Sequence, residues 1–235
     1  MLFKNNKKDL FLIALFGNVL PFNLISWSQL HVDSLVASTL IGTMPLFTLL
    51  ISLNFFKDRF KIQTVYGLII GFMGMIIFLK PGHQTISDKN LFFSLLIILS
   101  SVFYAFSANW VKTVKQRSSF ELACCSIGVA AFFSIPLSFF LFFTADNEVL
   151  LLFSNITMKS FISASLLGIL CTGLAISIFF KIIESQSAVF ASQSNYLIPC
   201  FGFLWSYIFL DETFTFNLII GFILIVIGGF LVNRK

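Results

Sequence analysis

SLVASTLIGTMPLFTLLISLNFFKDRFKIQTVYGLIIGFMGMIIFLK, residues 34–80, and AVFASQSNYLIPCFGFLWSYIFLDETFTFNLIIGFILIVIGGFLVNR, residues 188–234, are two versions of one segment set 154 positions apart. Ala37 falls on Ala191, Ser38 on Ser192, Pro45 on Pro199 and Phe47 on Phe201. Asp58 meets Glu212, Phe60 meets Phe214, Gly67 and Gly74 fall on Gly221 and Gly228, and Lys80 meets Arg234. Leu-for-Ile matches between apolar helices carry no information. The comparison therefore rests on the shared proline, the acidic residue after the helix and the two glycines.

Each copy is long enough to cross a membrane twice, and the rest of the chain reads the same way. The sequence is 58% apolar and 11% charged, with a mean hydropathy of +0.98. A soluble domain carries about 25% charged residues, so the apolar excess has to face lipid. A helix needs about 20 apolar residues to span the hydrocarbon. On that measure eight spans are expected: Leu10–Leu30, Leu35–Phe56, Ile62–Leu79, Leu91–Val111, Leu122–Phe143, Phe161–Ile183, Ala188–Leu210 and Phe216–Val232. The runs are continuous rather than alternating, which excludes a β-barrel. The fold class is all-α: a polytopic membrane protein with about eight transmembrane helices.

Basic residues set the expected orientation. With the N-terminus inside, twelve of the fifteen Lys and Arg fall on the cytoplasmic side. The other three, Lys80, Lys89 and Lys159, fall outside. The positive-inside rule then places both termini in the cytoplasm of a multi-pass protein of the cell (inner) membrane. The net charge of +5 follows from this bias, because the basic residues occupy short loops between spans. It does not point to nucleic acid. The lipid bilayer is the expected partner, and the sequence carries no signal of oligomeric state.

The repeat has a topological consequence. Spans 1–3 correspond to spans 6–8, and five spans separate each equivalent pair. An odd separation means that the two copies cross the membrane in opposite directions. Inverted repeats are a recurring architecture of secondary transporters, with the substrate site near the midplane between the repeats. Spans 4 and 5 have no partner in the chain. The expected division is a first repeat of three helices at residues 1–89 and a second of five at residues 90–235, that is 3+5 of a 5+5 design.

On these features the chain resembles the EamA-type transporters of the drug/metabolite transporter superfamily, over nearly its whole length. The resemblance rests on VAS at 36–38 and FAS at 190–192, Pro45 and Pro199, Asp58 and Glu212, and the glycine-rich closing helices with Gly67, Gly71 and Gly74 and with Gly221, Gly228 and Gly229. LDETF at 210–214 matches the acidic junction, whereas KDRF at 57–60 departs from it. What the resemblance implies is a permease with a central cavity that moves a small metabolite such as an amino acid or related compound, by alternating access between the repeats. It also implies that two helices of the ten-helix pattern are absent. A second expectation is therefore a truncated or non-transporting membrane protein that needs a partner or an upstream segment for activity.

Candidate substrate-binding residues are the uncharged polar groups inside spans, since an amide facing lipid leaves donors and acceptors unpaired. They are Asn18, Asn23 and Trp27 in span 1, Thr43 in span 2, and Tyr104, Ser107 and Asn109 in span 4. Thr172 in span 6 and Gln193, Asn195 and Tyr196 in span 7 complete the set. Trp27 also suits an interfacial anchor. Pro45 and Pro199 are the candidate structural hinges, because proline removes a backbone donor and bends a helix.

Every carboxylate lies at a span end or connector, so no buried acid is poised for proton coupling. Cys124, Cys125, Cys171 and Cys200 lack ligand-like spacing and read as small packing residues. The sequence shows no clustered catalytic groups, no metal-binding pattern and no cofactor motif. A membrane enzyme is not expected.

Overall fold

The computed structural model describes residues 7–79, 88–114, 118–143, 157–209 and 215–233. The acidic junction at 210–214, with Asp211 and Glu212, and the Lys80–Arg234 match lie outside these residues. Among the described residues all regular structure is helical. Seven segments of the described residues are long and apolar enough to cross a membrane. The remaining expected span is formed by two consecutive helices at residues 188–209.

Span 1 comprises α1 (Lys7–Ala14), a π-helical turn (Leu15–Val19) and α2 (Leu20–Ser28). Span 2 is α3 (Ser34–Ile41) and α4 (Met44–Asn54). Then follow α5 (Ile62–Leu79), α6 (Asp88–Val111) and α7 (Ser119–Phe143). Span 6 is α8 (Met158–Leu166), a second π-helical turn (Leu167–Leu174) and α9 (Ala175–Ser185). Span 7 is α10 (Ala188–Ser192) and α11 (Ser194–Phe209), and span 8 is α12 (Phe216–Asn233). The ends fall within three residues of the expected boundaries. Four spans are not the continuous helices that hydropathy suggests.

The distortions recur in both copies. Shifted by 154, the π turn at 15–19 lands on 169–173, inside the second one. Span 2 breaks at Gly42–Thr43 and span 7 at Gln193, each shortly before its proline. Pro45 has no N–H to give to the Ile41 carbonyl. The α6 hydroxyl of Ser101 approaches that oxygen at 3.5 Å and the Leu40 oxygen at 3.2 Å. Thr43 Oγ1 also donates to Leu40, at 2.6 Å. The backbone groups loosened by the break are therefore met by hydroxyls, which a water-free interior requires. Pro199 lies inside α11, one to two turns past its break.

Helix α6 lies against α2, α3 and α4, and α7 packs on α1 and α9. Leu10, Ile13, Ala105, Ala108, Ala123 and Phe180 join these elements in one core. The most extensive contact is between α5 and α12. There Gly67 meets Gly228, and Gly74 meets Gly221 at backbone distance: a Cβ on Gly74 would stand 2.9 Å from the Gly221 oxygen. Gly67 and Gly221 are repeat equivalents, as are Gly74 and Gly228. The pairing is thus reciprocal, as in a two-fold interface, and the two helices run antiparallel. Large apolar side chains such as Phe132, Phe161, Ile169 and Phe230 are exposed around the bundle, the arrangement of a protein whose solvent is lipid.

Polar contacts gather at the ends of the spans. Asp58 accepts both of its oxygens' contacts from Lys112 Nζ, at 2.7 Å each, and takes the Ser52 hydroxyl at 2.5 Å. Lys57, in the left-handed region at φ 53°, makes the turn that brings Asp58 back. Partial burial pushes the Asp58 carboxyl up, but the Lys112 and Ser52 hydrogen bonds and the Lys112 charge outweigh it and hold it below its ordinary value. Trp110 Nε1 donates to Asp9 at 3.0 Å, and Ser119 bonds Glu184. These contacts bring the start of span 1 and the ends of spans 2, 4 and 6 to one face, with the start of span 5. That is the alternation the positive residues require. At the opposite end His31 stacks on Phe93 at 4.0 Å and Trp27 meets Phe93 edge-on at 5.4 Å. This aromatic cluster suits a membrane–water interface.

Candidate functional site

A cavity of about 570 Å³ lies between span 1, α6, α9 and the broken helices of spans 2 and 7. Of the residues expected at a binding site, it brings together Asn18, Tyr104, Ser107 and Asn195. Asn18 follows Gly17 in the first π turn. A side chain at Gly17 would collide with the Ser107 hydroxyl, so glycine is what lets α6 approach. Ser107 donates to the Ile13 carbonyl at 3.2 Å, just ahead of that turn. Asn195 stands at the start of α11 and Met44 at the start of α4. The Asn195 amide donates to the Ser192 carbonyl and to Met44 Sδ, both at 3.0 Å. The two helix breaks thus meet at the cavity.

Other expected residues lie elsewhere. Asn23 is exposed and donates to its own helix at the Val19 carbonyl, 2.6 Å. Trp27 belongs to the interfacial aromatic cluster. Thr43 bonds within its own turn, and Thr172 bonds the Leu167 carbonyl at 3.2 Å inside the second π turn. Asn109 is fully buried and gives its amide to Thr48 of α4 at 3.1 Å and to Ala105 at 2.9 Å, joining α6 to α4. Tyr196 is buried against Gly71, with its hydroxyl donating to the Leu68 carbonyl at 3.3 Å. Gln193 is buried at the break itself. Gln193 and Tyr196 line a second concavity on the outer side of α11.

Sequence reasoning missed most of the apolar wall, and the repeat register was the signal that would have found it. Phe22 and Ile176 are equivalent and both line the cavity; so are Ile25 and Phe179, Ile41 and Asn195, and Met44 and Ile198. The cavity is built from the same positions of both copies. No Asp, Glu, Lys, Arg or His is among the described residues that line it. Its walls offer two amides and a few hydroxyls in an apolar shell. This composition suits reversible binding of a small molecule. It offers no nucleophile–base pair, and no His, Cys, Asp or Glu grouping able to hold a metal occurs among the described residues.

Comparison with known proteins agrees with this architecture. An uncharacterized transporter of Archaeoglobus fulgidus is 26% identical over 231 residues, covering 97% of this chain and 79% of the relative. An S-adenosylmethionine uptake transporter of Rickettsia bellii is 30% identical over 128 residues, covering 54% of this chain and 43% of its own. A crystal structure shares the fold with a TM-score of 0.76 at 14% identity, over 95% of this chain and 75% of that one. The Archaeoglobus and Rickettsia relatives are transporters by name. The model of the EamA-like transporter family matches residues 2–80 and 91–234, and with nearly the whole sequence covered, the chain belongs to that family.

Proposed function

We propose that this protein is a permease for a small, net-neutral metabolite with a substantial apolar part, such as an amino acid or an amino-acid derivative. The observation that carries the reading is the central cavity, where Asn18, Tyr104, Ser107 and Asn195 stand in a largely apolar wall with no charged side chain among the described residues. Amides can donate to a carboxylate and accept from an ammonium, so a zwitterion can be held without a counter-charge. The Rickettsia relative, named for uptake of S-adenosylmethionine, supports the amino-acid class alone; that compound's sulfonium makes it a net cation, so the neutral charge assigned here rests on the cavity wall.

The two repeats, residues 1–89 and 90–235, are read as inverted halves that rock about the α5–α12 seam, with Pro45 and Pro199 as the bends that permit it. Transport by alternating access follows from that symmetry, since each membrane side is gated by equivalent elements. No described carboxylate lines the cavity, and the reading is a facilitator driven by the substrate's own gradient. The protein sits in the cytoplasmic membrane with both termini inside, as the distribution of Lys and Arg supports.

The test is uptake into proteoliposomes from a panel of radiolabelled amino acids, amino-acid derivatives, and matched cationic and anionic compounds. Saturable uptake of a neutral member supports the proposal. Uptake confined to charged members, or none by protein shown to be folded, overturns it.

A further inference from the structure

A second concavity, of about 460 Å³, lies on the outside of the bundle between α10–α11 and α12. It shares only Ile182 and Ser194 with the central cavity. Leu197, Val226 and Phe230 form its rim and are exposed, so it opens sideways into hydrocarbon. No charged residue is among its described lining. Two features of this groove are unusual. Gln193, only 7% exposed, lines it, and its Nε2 has no hydrogen-bond partner. A buried N–H without an acceptor is costly, and such groups are nearly always paired in native proteins. At Gly229 an added Cβ would meet nothing within 4 Å, so the floor of the groove is open.

The first repeat shows what the same place looks like when it is closed. Gln193, Tyr196 and Gly229 correspond to Thr39, Gly42 and Met75. Thr39 satisfies its own hydroxyl on the Leu35 carbonyl at 2.9 Å. Met75 is fully buried, and its thioether occupies the space over Gly42. One copy fills the groove with its own side chain and leaves no donor over. The other copy has an empty floor and a free amide donor.

We infer that the α10–α12 groove binds a membrane phospholipid, with the Gln193 amide, whose Nε2 is sealed and unpaired in the groove, turning to donate to a glycerol-ester carbonyl and an acyl chain lying over Gly229 between Leu197, Val226 and Phe230. Depth agrees with this occupant. Asn233, the last residue of α12, lines the same groove. Gly229 lies four residues further in, about 6 Å along the helix, where headgroup gives way to acyl chain. A water-soluble metabolite would have to reach the groove through the hydrocarbon, whereas a lipid is already there.

The test is native mass spectrometry of the purified full chain, titrated with a diester phosphatidylethanolamine and with its diether analogue of equal chain length. The wild type is expected to retain the diester about fivefold better than the diether, the worth of one hydrogen bond. Gln193→Leu should erase that preference. Gly229→Met, which copies the plug of the first repeat, should lower retention of both lipids. Equal binding of the two lipids by the wild type, or unchanged retention by folded Gly229→Met, would overturn the inference. If Gly229→Met fails to fold, the diester-to-diether ratio of wild type against Gln193→Leu decides alone.

Discussion

Gly67 and Gly228 touch through their backbones: a Cβ on Gly228 would stand 2.5 Å from the Gly67 carbonyl oxygen, and one on Gly67 would stand 2.7 Å from the Gly228 oxygen. Because the clash is with main chain, no rotamer change relieves it. Gly228→Leu should therefore separate α5 from α12 and lower stability by about 1–3 kcal/mol, the usual cost of overpacking. Thermal melting in detergent checks this. Gly128→Ala, where nothing lies within 4 Å, is the control and should melt no lower than the wild type, since alanine favours a helix interior.

The cavity residues predict a division between binding and folding. Asn195→Leu and Tyr104→Ala should each reduce uptake about fivefold at low substrate, as expected for a lost hydrogen bond or its apolar support, while the amount of folded protein is unchanged. Asn109→Leu should do the reverse, lowering the melting temperature because it removes the bond to Thr48 that joins α6 to α4. Normal transport by both cavity variants would show that the substrate sits elsewhere.

Lys112→Ala should destabilise the protein by about 1 kcal/mol, since it leaves Asp58 with only the Ser52 hydroxyl. Melting temperature against Lys112→Arg, which keeps the charge, gives the comparison.

The same pair predicts a pH dependence. The folded Asp58 carboxyl lies below its ordinary value, so the unfolded chain binds this proton more readily. Stability from the pair is fully present above the unfolded carboxylate range and is lost as pH falls through the folded value. Melting curves at pH 6 and at about pH 3 should differ less for Asp58→Asn than for the wild type.

Orientation is checked with single cysteines at two exposed span ends, Leu30 and Arg59, in a background without native cysteines. A membrane-impermeant maleimide should label Leu30→Cys in intact cells and Arg59→Cys only after permeabilisation. The opposite pattern would place the termini outside.

Much of the fold was legible because hydropathy and charge act over whole spans. Boundaries such as Ile62–Leu79 follow from the length of an apolar run alone. The site was legible only in part, because which face a residue presents depends on helical phase. Asn18 and Asn23 look alike as single residues, yet five positions set them about 140° apart on a helix: Asn18 lines the cavity with Phe22 and Ile25, whereas Asn23 is exposed and bonds its own backbone. Asn109 and Tyr196, expected at the binding site, are buried polar groups. Their partners are backbone carbonyls of neighbouring helices, and nothing in a single sequence distinguishes such a partner from a ligand. Ile41 and Met44 carry no polar signal at all; only their equivalence to Asn195 and Ile198 marks them.

The paired π turns at 15–19 and 167–174 bear on how far the internal symmetry reaches. Each is the equivalent of one residue inserted into a finished helix. Because the two fall at corresponding registers, spans 1 and 6 are widened at the same depth on the two sides of the cavity. The irregularity therefore obeys the internal symmetry. The places behind it do not: Met75 plugs one, and its counterpart at Gly229 is open.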